Sequence, residues 1–281
     1  MAEQEKVAVK VEDVENEVFN KGLVQEPIQP ESNDKIEELR KRVGDVIYDA
    51  FVVRYGGPNR CYERFLIARD WDMEKAEKMI RHAISFRLER NLDGNRKEEE
   101  LDRLAEYKEQ VGPLWILRSW GFSTEGYLLI YARVSKVNLK SFLSIPEDNI
   151  KAFYLEWLTN VFDLQNYSNA SIRDPKDQVW KGNVQVINLQ GISMAQLHIS
   201  GLRLLSRVLK IAQGLAPENA NKVYLVNAPW FFSGAWSIIK RALNKNIIAK
   251  ITVSSGDCKE EIMKYFGDSE ELYQDFLNSV Q

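Results

Sequence analysis

The densest apolar pattern in the chain lies in residues 222–251, where the hydrophobic period changes twice. Residues 223–226 form a short β-branched run that stops at Asn227-Ala228-Pro229, which predicts a buried strand ending in a turn. Trp236, Ile239 and Leu243 then recur at helical spacing, with Ser233 as the expected N-cap of a helix over 233–243. A second β-branched run, residues 247–253, predicts the next strand. Strict alternation over 184–189 puts Asn183, Gln185, Ile187 and Leu189 on one face, and 115–117 and 127–134 read as two further strands.

Between these runs the period is that of helices. Ile36, Leu39, Val43, Ile47 and Phe51 predict one amphipathic helix closed by Gly56-Gly57-Pro58, and Tyr62, Phe65 and Leu66 a short second one. Asp72 should cap a third, with Ala76, Met79, Ile80, Ala83 and Phe86 inward. Pro146 opens a long helix whose apolar stripe from Ile150 to Phe162 is wide enough for burial on more than one side. A last one over 195–213 turns Leu202, Leu205 and Leu209 inward. Strand and helix in alternation imply an α/β fold, a mostly parallel sheet flanked by helices, behind a small all-helical domain. The expected division is an acidic, disordered tail over 1–32, a helical domain over 33–112 and the sheet domain over 113–281.

Composition narrows the function classes. The net charge is −3, but residues 1–34 hold nine acidic against three basic side chains, so the body behind them is mildly basic. That is too weak for a nucleic-acid binder and compatible with contact to anionic lipid. Only Cys61 and Cys258 occur, so no disulfide framework is expected. The N-terminus lacks the basic and apolar regions of a signal peptide, and no apolar run is long enough to span a bilayer. A cytoplasmic protein, transiently at membranes, is the expectation. No dinucleotide, P-loop, nucleophile-elbow or zincin motif is present, and His82 and His198 lie far apart. No catalytic residue, metal or cofactor is therefore expected, and the protein is read as not an enzyme.

Three stretches in a fixed order give a family resemblance: Arg64-Phe65-Leu66-Ile67-Ala68-Arg69-Asp70-Trp71-Asp72, Asn188-Leu189-Gln190-Gly191-Ile192-Ser193, and the strand-NAP-aromatic-helix-strand of 222–251. Together they resemble the CRAL-TRIO lipid-binding family, whose members include phosphatidylinositol/phosphatidylcholine, tocopherol and retinaldehyde carriers. The resemblance implies one apolar pocket closed by a gate helix. It places Arg69, Glu218 and Lys250 at a lipid headgroup, and Tyr131, Trp157, Asn183, Gln185, Ile187 and Ile247 in the pocket wall. It places Phe231, Phe232, Trp236, Ile239 and Leu243 on the gate. Arg69 and Lys250 would neutralise a phosphate, and Glu218 would accept from inositol hydroxyls.

Several positions depart from the family's pattern: Asp70 replaces a lysine, Asn244 an aspartate and Ile247 a threonine, and Trp157, Asn183 and Gln185 stand where hydroxyls are usual. The expected function is carriage and exchange of one lipid, phosphatidylinositol or another phospholipid, by a monomer. A retinoid, tocopherol or sterol-like ligand, or a lipid-sensing scaffold that presents lipid to a kinase or trafficking partner, are the alternatives.

Overall fold

A computed structural model describes residues 8–11, 33–94, 98–172 and 180–280. Five helices come first: α1 (Asn33–Val43), α2 (Asp49–Arg54), α3 (Arg60–Ile67), α4 (Met73–Glu89) and α5 (Glu98–Val111). The predicted first helix is two, because Gly44 takes φ +59 at the end of α1 and turns the chain. Asp72 caps α4 as expected, its carboxylate accepting from Lys75 N at 3.1 Å. Phe86 packs half-buried against the core as expected, and Arg87 beside it is the more buried, 2% exposed and reaching Asp93 through two 2.6 Å hydrogen bonds. Asp93 also accepts from Tyr48 Oη at 2.8 Å and Arg54 Nε at 3.1 Å, and Arg54 in turn pairs with Asp163 of the long helix. Helix α5 was not legible in the apolar spacing.

The sheet has six strands in sequential order, β1 (Val9–Lys10), β2 (Arg118–Phe122), β3 (Leu128–Arg133), β4 (Asn183–Asn188), β5 (Ala220–Val226) and β6 (Ile251–Val253). Pairs β3–β4, β4–β5 and β5–β6 are parallel, and β1–β2 and β2–β3 antiparallel. Residues 115–117, read as a strand, are irregular, and the strand follows at 118–122. Between strands run α6 (Leu139–Ser144), α7 (Glu147–Ser171), α8 (Ile199–Leu215), α9 (Phe232–Ile239) and α10 (Lys245–Ala249). Sequential strands joined by crossovers of one hand send all their helices to one face. α7, α8 and α9 pack there, while α11 (Lys259–Met263) and α12 (Glu270–Asn278) fill the other through Ile262, Phe266, Tyr273 and Phe276.

The wide stripe of α7 is buried on two sides, Ile150, Tyr154 and Leu158 against the N-terminal helices and Val161 and Leu164 against the sheet. Two expectations near α9 need correction. The helix starts one residue early, and Ser233 does not cap it: its Oγ donates to Trp230 O at 3.2 Å. Residues 245–249 are helical rather than strand, because Asn244 Oδ1 accepts from Ile247 N at 2.9 Å and caps a new turn before the short β6 begins.

The disordered tail is also corrected in part. Residues 8–11 are an edge strand, with Ala8 buried and Val11 N bonded to Trp120 O at 3.1 Å. Lys10 pairs with Asp275 at 3.0 Å, the carboxylate that accepts from Trp120 Nε1 at 2.6 Å. The rest of 1–32 lies outside the described residues. Glycine is needed opposite this strand, since a Cβ on Gly121 would stand 2.2 Å from Val9 O.

Two outcomes follow from these contacts. Gly121→Ala should displace β1 at a cost of about 1–3 kcal/mol, and deletion of residues 1–11 should lower the urea midpoint in the same direction. An unchanged midpoint for both would separate β1 from the fold. Asp93→Asn should cost about 3–5 kcal/mol by leaving a buried guanidinium unpaired. Burial alone would raise the Asp93 carboxyl, but the Arg87 hydrogen bonds and charge outweigh it and hold it below the usual carboxylate range. The stability it contributes is complete above the ordinary carboxylate pKa of about 3.9 and is lost as pH falls through the depressed native value. Denaturation of wild type and variant across that acid range should show the difference vanishing.

Candidate functional site

On the helical face of the sheet the strands do not meet the helices closely. Ala132 of β3, Gln185 and Ile187 of β4, Val223 and Leu225 of β5 and Ile251 of β6 form the floor of a cavity of about 410 Å³. Leu202, Leu205 and Leu209 of α8 form one wall, and Phe232, Trp236 and Ile239 of α9 with Leu243 and Ile247 the other. Trp115, Tyr154 and Trp157 close one side, their rings 5.8–6.0 Å apart. No charged side chain lines the space. An apolar void walled by helices and strands with a few neutral amides is built to receive an apolar guest, since an empty one forfeits dispersion contacts on every side.

Of the expected pocket residues, Trp157, Gln185, Ile187 and Ile247 line this cavity, and Tyr131 and Asn183 do not. Tyr131 lies on the opposite face of β3, among Phe276 and the C-terminal helices, with its hydroxyl accepting from Asn188 Nδ2 at 3.0 Å. The two-residue period of a strand decides this: Ala132 faces the cavity, so its neighbour faces away. Asn183 is fully buried at the start of β4, on the same face as Gln185 but outside the cavity lining, and its Oδ1 accepts from Gln185 Nε2 at 2.9 Å. Phe232, Trp236, Ile239 and Leu243 line the cavity as expected of a gate face, whereas Phe231 instead stands edge-on to Trp230. Leu139 and Phe142 of α6 and Trp115 were missed; aromatic residues beside Gly112-Pro113 carried no periodicity that marks a cavity wall.

Arg69, Glu218 and Lys250 come together in a small polar cleft with Asn244 and Asn246. Lys250 Nζ lies 2.8 Å from Glu218 Oε2. Burial lowers the pKa of the Arg69 guanidinium, whose Nη1 donates to Ala68 O at 3.0 Å. The cleft and the cavity abut, sharing Gln213, Ala216 and Ile247 as lining. Gln213 also brackets the end of the α9 segment, donating to Ala242 O at 2.6 Å and accepting from Asn244 N at 2.7 Å. Asp70, where the family's pattern has lysine, ties the turn after α3 to α10 through Lys245 at 3.0 Å and Asn246 at 2.9 Å.

Neither histidine belongs to the site. His198 Nδ1 accepts from Ser200 N at 3.3 Å and caps α8, and His82 is exposed on α4. Among the described residues no cluster could hold a metal ion, and no helix is long and apolar enough to cross a membrane.

An apolar cavity beside a charged cleft, on an α/β sheet preceded by helices, defines a binding fold that can receive an apolar guest. The chain belongs to the CRAL/TRIO family: the CRAL/TRIO domain model matches residues 119–275 and the CRAL/TRIO N-terminal domain model residues 35–82. It is 30% identical to the CRAL-TRIO domain-containing protein T23G5.2 of Caenorhabditis elegans over 76% of the chain and 29% of that protein. It is 26% identical to the phosphatidylinositol transfer protein CSR1 of Eremothecium gossypii over 92% of the chain and 58% of that protein. The chain thus spans roughly a third to somewhat over half of the length of these curated relatives. The crystal structure of Sfh5 superposes with a TM-score of 0.59 at 15% identity, covering 86% of this chain and 88% of that one, a likeness of fold. The three sequence motifs therefore sit on the family's architecture.

A floor residue tests the cavity. Ile187→Trp should fill it and abolish occupancy by any co-purifying ligand in native mass spectrometry, while the thermal midpoint stays at or above that of wild type because the added ring enters existing space. Unchanged occupancy would move the ligand elsewhere.

Proposed function

We propose that the protein carries a single lipid, phosphatidylinositol or another phospholipid, and exchanges it at membranes without covalent chemistry. The observation that carries this reading is the contact between the charged cleft and the uncharged cavity. A lipid laid across the shared wall of Gln213, Ala216 and Ile247 would put its polar end against Arg69 and Lys250 and its chain in the cavity. Each methylene leaving a bilayer forfeits about 0.8 kcal/mol unless the protein replaces its surroundings, which an apolar cavity does. The name of the Eremothecium gossypii relative, a phosphatidylinositol transfer protein, points the same way.

The α9 segment is the proposed gate. It supplies one whole wall of the cavity through Phe232, Trp236 and Ile239, and its polypeptide is clipped by Gln213 at residues 242 and 244, so the extended Leu243 between them is the hinge. Opening such a wall exposes the guest without disturbing the sheet.

A second reading has its own support. Trp157 and Gln185 line the cavity where the family's pattern has hydroxyls, and among the described residues no acidic or basic side chain lines it; this favours a retinoid, tocopherol or sterol-like guest. Lipid extraction after native mass spectrometry separates the two. If the guest is phosphatidylinositol, Arg69→Ala and Lys250→Ala should each weaken vesicle-to-vesicle transfer by about ten- to a hundred-fold, the loss of one charge-assisted contact. Equal transfer by wild type and the double variant assigns the guest to the uncharged class.

A further inference from the structure

Two asparagines of the sequence motifs have no part in the site as described: Asn188, the last residue of β4, and Asn227, the first after β5. Neither lines the cavity or the polar cleft. They meet each other instead, Asn227 Nδ2 donating to Asn188 Oδ1 at 3.1 Å. The same oxygen accepts from Gln190 N at 2.9 Å, in the turn that follows β4, and Asn188 Nδ2 donates to Tyr131 Oη of β3 at 3.0 Å. One side chain from β3, one from β4 and one from the end of β5 are thereby joined in a row across three neighbouring strands.

The row lies on the filled face of the sheet. Tyr131 is 2% and Asn188 8% exposed, and the Tyr131 ring centre is 5.0 Å from that of Phe276 in α12. A buried amide is costly unless its hydrogen bonds are made, so an apolar side chain would fill this core with less penalty. What the amide adds is direction, because bonded polar groups in a low-dielectric interior fix one another's positions.

The group fixed at the end of the row is the root of the α9 wall. Asn227 takes φ +55, a left-handed conformation that Asn tolerates better than most residues. Its N–H donates to Gly256 O at 2.9 Å and Ala228 N to Ser254 O at 2.9 Å, so the backbone here is tied to the loop after β6. Pro229 O then accepts from Phe232 N at 2.9 Å as α9 begins. Only residues 228–231 separate Asn227 from the helix. The far end of the segment is bracketed by Gln213, and Asn227 is the corresponding fixed point at the near end.

We propose that Tyr131 and Asn188 are positioning residues for the gate: acting through Asn227 from the side of the sheet opposite the cavity, they hold the root on which the α9 wall turns. The proposal rests on the gate reading for the motion itself and goes beyond it in assigning the near pivot and the groups that hold it. Breaking the row frees the Asn227 side chain, so its backbone leaves the left-handed conformation more readily and the wall behind it opens more often.

The full chain is followed by amide hydrogen exchange and, by native mass spectrometry, for loss of its co-purified guest to phosphatidylcholine vesicles. Tyr131→Phe should raise exchange over residues 227–239 by about five-fold, the equilibrium weight of one net hydrogen bond, and speed guest loss by a similar factor. Occupancy before vesicles are added should stay that of wild type, since Tyr131 does not line the cavity. Asn188→Asp should keep wild-type rates, because a carboxylate accepts from Asn227 and from the Tyr131 hydroxyl, whereas Asn188→Leu should behave as Tyr131→Phe or exceed it. Ile262→Val trims the same filled core outside the row; it should lower the thermal midpoint while leaving exchange over 227–239 unchanged. Wild-type exchange over 227–239 in Tyr131→Phe, a rise spread evenly along the chain, or an equal rise in Ile262→Val would overturn the proposal. A wild type that holds no guest while Tyr131→Phe still loosens residues 227–239 would sink the carrier reading and leave the positioning row standing.

Discussion

The arrangement of the site depends on one buried guanidinium. Arg64, fully enclosed, donates from Nε to Pro217 O at 3.1 Å and from Nη1 to Tyr55 O at 3.3 Å, with its carbon centre 4.3 Å from the ring of Trp180. Tyr55 adds a second tie by donating to Leu215 O at 2.5 Å. The N-terminal helices are thus fastened to the last carbonyl of α8, which has no partner within its own helix, and to the turn that follows it. Burial pushes the Arg64 pKa down to about 10, so it remains charged at neutral pH. A cation that has given up water finds carbonyl dipoles and aromatic faces in place of a carboxylate.

That joint sets the register of the polar cleft. Glu218 follows Pro217 directly, and Arg69 lies at the C-terminal side of the helix that carries Arg64. A shift of the N-terminal helices over the sheet would separate Arg69 from Lys250 and Glu218, which belong to the sheet side. Asp70 strengthens the same alignment from the surface by reaching Lys245 and Asn246. Its presence where the family's pattern has lysine therefore exchanges a cation near the polar cleft for a tie to α10.

The two faces of the sheet have opposite tasks. One is packed by Phe266, Tyr273 and Phe276 into an ordinary core that keeps the strands rigid. The other stays hollow, with α8 and α9 braced at the cavity wall by Gln213, by Gln196 just before α8 to the carbonyls of residues 134, 135 and 137, and by the cap of Asn244. Polar ties at the rim take over the positioning that core contacts would give to a filled interface.

The sequence by itself determined the α/β class, the order of the strands from 118 onward, the apolar character of the α9 segment and the convergence of Arg69, Glu218 and Lys250 through family motifs. These are local patterns or fixed motifs, and local periodicity survives folding. Which residues face the cavity was only partly legible: Gln185 and Ile187 followed from alternation, whereas Tyr131 lies on the filled face and Asn183 on the hollow face but outside the cavity lining, because alternation says neither which face is hollow nor how far the hollow extends. The tertiary structure alone decided that residues 8–11 complete the sheet edge, since their stability comes from Gly121, Trp120 and Asp275, more than a hundred positions away. It alone turned 245–249 from strand to helix, because the Asn244 cap and the Gln213 bracket outweigh the β propensity of two isoleucines. Long-range hydrogen bonds and the absence of packing are the two things a one-dimensional pattern does not record, and this site is built from both.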